Sequence, residues 1–243
     1  MIRPALLVLM SMPMLAGAAH ADRLAEVRAT LSRAGDEETL RARIEQTVIL
    51  ERNDDAPERG ATAFTAELGA DGLIVRYPEA EMRKAEAESS SPDDGRPVTR
   101  ALESIQPTEI ASLLDFAPAL LRTLDGARLT RESRTLWQGK QAHLLELVLD
   151  VKLSGREARH VRETQATMKL WLDASGNPIA AETRSTIKGR FFLVGFELTE
   201  NATRELVWHG NRLLVTREDA RRSGSGLGES SATRTTTRVI PFR

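Results

Sequence analysis

Few residues of this sequence combine the type and the spacing that catalysis or metal binding requires. His143, His160 and His209 are far apart along the chain, and none belongs to a His-x-His or His-x-x-x-His spacing. Metal sites need ligands clustered at defined spacings, so we interpret these histidines as surface or strand-edge residues. The chain has no cysteine, which excludes disulfides, thiolate catalysis and cysteine-ligated metals. We therefore expect no metal site, no cofactor and no enzyme activity.

Three further patterns have ordinary explanations. Residues 223–228 are rich in glycine and serine, but a phosphate-binding loop needs a helix after it, and a threonine-rich strand follows here, so a flexible connection is expected. The acidic pairs at 54–55 and 93–94 lie in predicted loops, where solvated carboxylates are usual. No Gly-x-Ser-x-Gly elbow occurs. A hydrolase whose polar residues meet only in the fold stays open as a third alternative.

The charge balance argues against one class of partner, and the first residues of the chain predict export. The chain has 34 basic and 35 acidic residues, so it lacks the basic excess that nucleic-acid binding requires. A positive start, an apolar run over residues 5–16 and a small-x-small pattern at 19–21 predict a cleavable signal peptide (residues 1–21), cut near Ala21. The run is shorter than the roughly 20 residues of a spanning helix, and Pro13 breaks it.

The predicted signal sets the expected location. We expect a periplasmic protein of a Gram-negative-type envelope, or a secreted one. Because no cysteine follows the cleavage site, lipidation is excluded, and we expect a soluble chain that does not span the membrane. Periodicity divides the mature part, a single domain over 22–243, into a helix (22–34), strands (41–77), a helical insertion (98–125) and an antiparallel meander (128–241).

The helical insertion carries the strongest apolar pattern. Pro107 and Pro118 each suit the first turn of a helix, so two short helices are expected rather than one long helix. Their apolar stripe must be buried against another layer. It consists of Ile110, Leu113, Leu114, Leu120, Leu121 and Leu124, with Phe116 beside it.

The meander predicts a sheet. Short turns at 138–140 and 173–177 join segments in which apolar residues alternate, as in antiparallel strands. Phe192, Val194 and Phe196 alternate on one strand face, although the opposite face of that strand could equally be the concave one. Many strands exceed the usual length, and long twisted strands curl. We predict an α+β fold: a large curved antiparallel sheet, an unclosed β-barrel, with short helices packed in or over its concave face.

Two segments resemble a known family. Residues 170–178 (Leu-Trp-Leu-Asp-Ala-Ser-Gly-Asn-Pro) and 137–147 (Trp-Gln-Gly-Lys-Gln-Ala-His-Leu-Leu-Glu-Leu) are similar to strand–turn–strand signatures of the periplasmic lipoprotein-carrier superfamily. That superfamily includes the outer-membrane lipoprotein-sorting proteins and a sensor-regulator that binds an anti-sigma factor. The resemblance implies an unclosed β-barrel, helices in its mouth and a hydrophobic cavity. The low aromatic content and the charged segment 79–88 depart from the well-known carriers.

The expected function follows from these points. We predict a non-enzymatic periplasmic protein that binds a hydrophobic or lipid-like ligand, such as a lipid or an acylated protein. The ligand-binding residues would be Leu113, Leu114, Phe116, Leu120 and Leu121 from the helices, with Phe192, Val194 and Phe196 from the sheet. The alternatives are ordinary packing of helix on sheet, and an envelope protein-interaction or stress-sensing module that uses the same fold without a ligand.

Overall fold

The computed structural model describes residues 16–35, 38–53, 56–90, 96–151, 159–191, 194–226 and 229–242. In these residues ten strands form one antiparallel sheet, and five helices accompany it. The helices are α1 (Ala16–Ser32), α2 (Glu79–Ser90), α3 (Pro97–Glu103), α4 (Pro107–Leu114) and α5 (Ala117–Leu124). The strands are β1 (Leu40–Arg52), β2 (Glu58–Gly69), β3 (Gly72–Arg76), β4 (Arg128–Trp137), β5 (Lys140–Val148), β6 (Val161–Leu172), β7 (Pro178–Phe191), β8 (Val194–His209), β9 (Arg212–Gly226) and β10 (Glu229–Pro241).

The strand order explains how the two ends of the chain meet. It is β3-β2-β1-β10-β9-β8-β7-β6-β5-β4, with each neighbouring pair antiparallel. Two meanders, β1 to β3 and β4 to β10, are joined where β10 pairs with β1. The sheet ends at β3 on one side and β4 on the other, so it is unclosed.

The sheet curves around three helices. One buried cluster contains residues from α1, α4 and α5 together with strands as far apart as β2 and β5, such as Phe64 and Leu145. Strands that lie so far apart can share a helical core only if the sheet bends around it. We call the face that packs on these helices the inner face. The predicted fold class, a curved unclosed antiparallel sheet with short helices on one face, is confirmed.

The predicted pair of short helices is also confirmed. Pro107 is in the first turn of α4, and Pro118 is in the first turn of α5. Between them, the Phe116 backbone N–H donates to the carbonyl of Leu213, at 2.7 Å, which fixes the junction to β9. Burial raises the pKa of the nearby Asp115 carboxyl. Backbone hydrogen bonds to this carboxyl and its attraction to the Arg212 guanidinium lower the pKa, but by less than burial raises it.

Some elements differ from the expectations. Residues 223–226, expected in a flexible loop, are strand: they pair with β8 on one side and β10 on the other, and two hydrogen-bonded neighbours outweigh the weak strand preference of glycine and serine. Helix α2 covers the charged segment 79–88 and continues to Ser90. Helix α1 already includes residues 16–21, ahead of the predicted start at residue 22, and the alanines in this stretch favour helix. Signal removal stays a prediction.

Candidate functional site

A row of polar side chains crosses the inner face of the sheet. It consists of Thr62 on β2, Gln46 on β1, Thr237 on β10, Glu218 on β9 and Arg204 on β8. Each is the direct cross-strand partner of the next. We call this the polar row. Directly opposed side chains lie close enough to interact, so five strands bring together residues that are scattered over most of the sequence.

The polar row divides the inner face into two parts. Two residues further along three of these strands lie Phe64, Ile44 and Val239, which are buried in the helical core. On the other side, the next row contains Thr235, Ala220 and Ala202 on β10, β9 and β8. These side chains are short, and so they leave space above the sheet.

That space is a pocket of about 520 Å³ between α4 and the sheet. Leu113 and Phe116 contribute apolar surface from the helical side, and Ser112 contributes a hydroxyl. Thr235 and Ala220 belong to the sheet side. We call this the α4 pocket. Its walls are apolar toward the helical core and polar along the sheet.

An ion pair and an aromatic ring lie at the core end of the α4 pocket. Arg204 Nε donates to Glu218 Oε2 at 2.5 Å, and about one fifth of each side chain is exposed. The guanidinium carbon of Arg204 lies 5.2 Å from the centre of the Phe116 ring, within the range of a cation–π contact. Arg204, on β8, therefore links Phe116, the residue just before α5, to Glu218 on β9.

A second charged group lies at the other end. Arg222 Nη2 contacts Glu200 at 3.2 Å across the strands and Glu109 of α4 at 3.6 Å. Burial acts to lower the pKa of Arg222, but attraction to these carboxylates outweighs it and the pKa is raised. The Glu109 carboxylate also accepts a hydrogen bond from the Gln106 backbone N–H, at 3.1 Å, which caps α4. The cap and the ion pair together hold α4 over the sheet.

Gln46 is one of the most buried polar residues of the pocket lining. Its side chain is 3% exposed, and its Nε2 donates to Ser104 Oγ at 2.8 Å. The Ser104 hydroxyl in turn donates to the Ala101 carbonyl at 2.8 Å. Within the described part of the chain, the Gln46 Oε1 atom has no hydrogen-bond partner. Buried polar atoms are nearly always paired, so this acceptor requires an explanation.

The predicted helical ligand residues separate into two groups. Leu113 and Phe116 line the α4 pocket. Leu114 and Leu120 are fully buried in the helical core, and Leu121 is partly buried against it. The stripe thus serves mainly as packing between helix and sheet, and only part of it borders the pocket.

The predicted sheet residues lie elsewhere. Val194 and Phe196 precede Glu200 on β8 and alternate with the same period, so they share the inner face, but they are outside the α4 pocket. Phe196 lies opposite Gly189 of β7 and Gly226 of β9. Phe192 lies outside the described residues. Of the described residues, Val194 and Phe196 are not in the pocket that Leu113 and Phe116 line.

Little in the sequence indicates the polar side of the α4 pocket, which the sheet provides. The threonines of β10 alternate (Thr233, Thr235, Thr237), a pattern that strand preference alone explained. The alternation, which can be read from the sequence, places these threonines on one face of the strand. The residues opposite them cannot be predicted in the same way, because β10 pairs with β1, almost 200 residues earlier in the chain.

Two features are absent from the described residues: a membrane-spanning helix and a cluster of metal ligands. No helix in the described ranges is long and apolar enough to cross a membrane. Among the same residues, no three histidine, cysteine, aspartate or glutamate side chains are grouped so that they could hold a metal ion.

Comparisons with known proteins find only distant likenesses. No family model matches the chain, and no curated protein matches it. A LolA superfamily protein from Nitrosomonas europaea is 11% identical, with 90% of this chain and 92% of that chain covered and a TM-score of 0.28. MucB in complex with MucA(peri) is 13% identical, with 91% and 93% covered and a TM-score of 0.16. TM-scores this low carry no argument about function, and membership in the predicted superfamily stays a prediction.

Proposed function

We propose that this protein is a non-catalytic binding protein of the cell envelope, and that the α4 pocket holds a small amphipathic, lipid-like molecule. One observation carries the proposal: a space of about 520 Å³ separates α4 from a floor of short side chains. Sites for small molecules commonly enclose about 300 to 1,000 Å³ and combine apolar walls with a few placed polar groups. This pocket has both features.

The distribution of polarity favours an amphipathic ligand. Leu113, Phe116 and Val215 offer apolar contact on the side of the core, whereas Gln46 and Thr235 offer polar contact along the sheet. A purely apolar ligand would leave the polar groups without partners, which is unfavourable in a buried site. A fully polar ligand would make no apolar contact with the Phe116 ring.

The proposal includes a location and a domain. We infer that residues 22–243 form a single domain that acts in the periplasm or outside the cell once the signal peptide is removed. The charge pattern and apolar run of residues 5–16 support export. Pairing of β1 with β10 ties the first strand to the last, which supports one folding unit.

The test is to fill the α4 pocket. Ala220→Leu adds a larger side chain to the floor, and Ala61→Leu makes the same change at an exposed position of β2. The neutral probe N-phenyl-1-naphthylamine is titrated against each protein, with fluorescence as the readout. We expect Ala220→Leu to weaken binding at least about tenfold, equivalent to about 1.4 kcal/mol, and Ala61→Leu to leave it unchanged. Equal binding by both variants would contradict a site in this pocket.

A second candidate is a protein-interaction module. Leu198 is 50% exposed on the same strand face as Phe196, beyond the end of the α4 pocket. Exposed apolar side chains that lie together favour contact with another protein. A photo-crosslinker at residue 198 that captures one envelope protein in cells, together with unchanged binding of that protein by Ala220→Leu, would favour this alternative.

A further inference from the structure

The orientation of the Gln46 side chain is fixed by its neighbours. Ser104 has one hydroxyl proton, and that proton is donated to the Ala101 carbonyl. The Ser104 oxygen can therefore only accept, so the Gln46 atom that faces it must be the Nε2 donor. The Oε1 acceptor consequently lies on the other branch of the amide, and in the described residues no donor reaches it.

The cross-strand neighbour of Gln46 on β2 does not pair with this acceptor. Thr62 lies directly opposite Gln46 on β2, and its hydroxyl is also buried without a partner among the described residues. Gln46 lines the α4 pocket together with Ser104, and it also borders a more open depression with Thr62. An unpaired acceptor on a residue of a cavity wall can be satisfied by a molecule that occupies the cavity.

The charges of the α4 pocket limit which molecule fits. Glu109, Glu200 and Glu218 outnumber Arg204 and Arg222 in the described lining. Arg204 is paired with Glu218, and Arg222 is shared by the other two carboxylates. Both guanidiniums are thus neutralised by protein groups. A phosphate or carboxylate head would meet an excess of negative charge and would have to displace an existing partner.

We propose that the α4 pocket selects an amphiphile whose head group donates hydrogen bonds and carries no negative charge, and that Gln46 Oε1 accepts from that head. This inference rests on the proposed function, because it names the chemical class of the same ligand. A hydroxyl or an ammonium supplies the required donor, whereas a fatty-acid carboxylate or a phosphate monoester does not at neutral pH. Gln46 is then a specificity-determining residue.

The test compares three head groups on one chain length. Monodecanoylglycerol, decylamine and decanoate, kept below the concentrations at which they aggregate, are titrated by displacement of N-phenyl-1-naphthylamine near neutral pH. We expect the glycerol ester or the amine to bind at least about tenfold tighter than decanoate. Which of the two binds tighter identifies the donor as hydroxyl or ammonium. Decanoate binding as tightly as both would overturn the proposal.

The Gln46→Leu variant tests the acceptor itself. It should weaken binding of the preferred donor about fivefold, the usual size of one hydrogen bond, and leave decanoate binding unchanged. Gln165→Leu, the same change at an exposed position of β6, is the control. The urea midpoint of Gln46→Leu should stay close to that of the wild type, since removal of the unpaired acceptor offsets loss of the Ser104 hydrogen bond. Gln46→Met is a second variant if Gln46→Leu folds poorly.

The outcomes separate the two proposals. If the neutral probe binds but neither head group nor Gln46→Leu changes affinity, the acceptor holds only water, and the inference is wrong while the proposed function stands. If no amphiphile and no probe binds to the wild type, both are wrong. A drop in the affinity of all three ligands for Gln46→Leu, with a lower urea midpoint, would assign Gln46 a purely structural role.

Discussion

Leu120 and Leu113 both lie in the helical insertion, and the structure predicts different consequences when each is shortened to alanine. Leu120 is fully buried in the helical core and does not line the α4 pocket. Shortening it leaves a cavity, and such changes destabilise by about 2 to 5 kcal/mol. Leu113 is also buried, with 4% of its surface exposed, but part of that surface borders an existing cavity.

The magnitudes follow from this difference. We expect Leu120→Ala to lower the free energy of unfolding by about 3 kcal/mol, which at this chain length lowers the melting temperature by about 6 to 12 °C. Its affinity for N-phenyl-1-naphthylamine should stay within about twofold of wild type, since less than about 0.5 kcal/mol of contact is involved. Leu113→Ala should lose less stability, because fewer of its contacts are with packed core atoms, and should change probe affinity more.

The assay combines two measurements on each protein. Urea unfolding followed by circular dichroism gives the free energy of unfolding, and fluorescence titration gives the affinity of the folded protein. If Leu120→Ala loses less than about 1 kcal/mol, well below the range for a packed core, and loses probe affinity at least tenfold, the reasoning is refuted. Leu120 would then line an open apolar cavity beneath the helices.

Two further predictions concern packing and pH. A Cβ on Gly60 would lie 2.3 Å from the carbonyl oxygen of Pro97, so Gly60→Ala must push α3 off the sheet and should cost about 1 to 3 kcal/mol in urea unfolding; Gly195→Ala, whose Cβ meets nothing closer than 3.9 Å, should be harmless. A hydrogen bond from Arg217, and attraction to it, hold the pKa of Asp219 below the ordinary value of 3.8. A lowered carboxyl pKa stabilises the fold above the unfolded pKa and not below the folded one, so the melting temperature of the wild type should exceed that of Asp219→Asn at neutral pH, and the difference should shrink as the pH falls below 3.8. Equal differences at neutral pH and at about pH 2.5 would contradict that assignment.

Local sequence patterns predict much of this fold. The turn at residues 138–139 uses Gln138 and Gly139 with positive φ angles, which suits a tight hairpin. Met168, Leu170 and Leu172 alternate as in a strand, and the structure has a strand there with all three side chains buried. Each of these features depends on residues that are close together in the chain, and so composition and spacing are enough.

The α4 pocket depends on distant pairings instead. Thr237 faces Gln46 and Glu218 only because β10 lies between β1 and β9, and no local pattern fixes that order. The leucine stripe of residues 110–124 predicted buried contacts, but periodicity does not distinguish a packed core from the wall of a cavity. That distinction depends on the size of the opposing side chains, here the short Ala220 and Thr235.

The central claim is that the α4 pocket carries an amphiphile. Native mass spectrometry of the protein, purified without detergent after expression of the full chain, tests this most directly. We predict one small amphipathic molecule per protein in the wild type, and a largely ligand-free Ala220→Leu variant that melts cooperatively. Wild-type protein that is free of small molecules and also fails to take up monodecanoylglycerol, decylamine or the neutral probe would contradict the account.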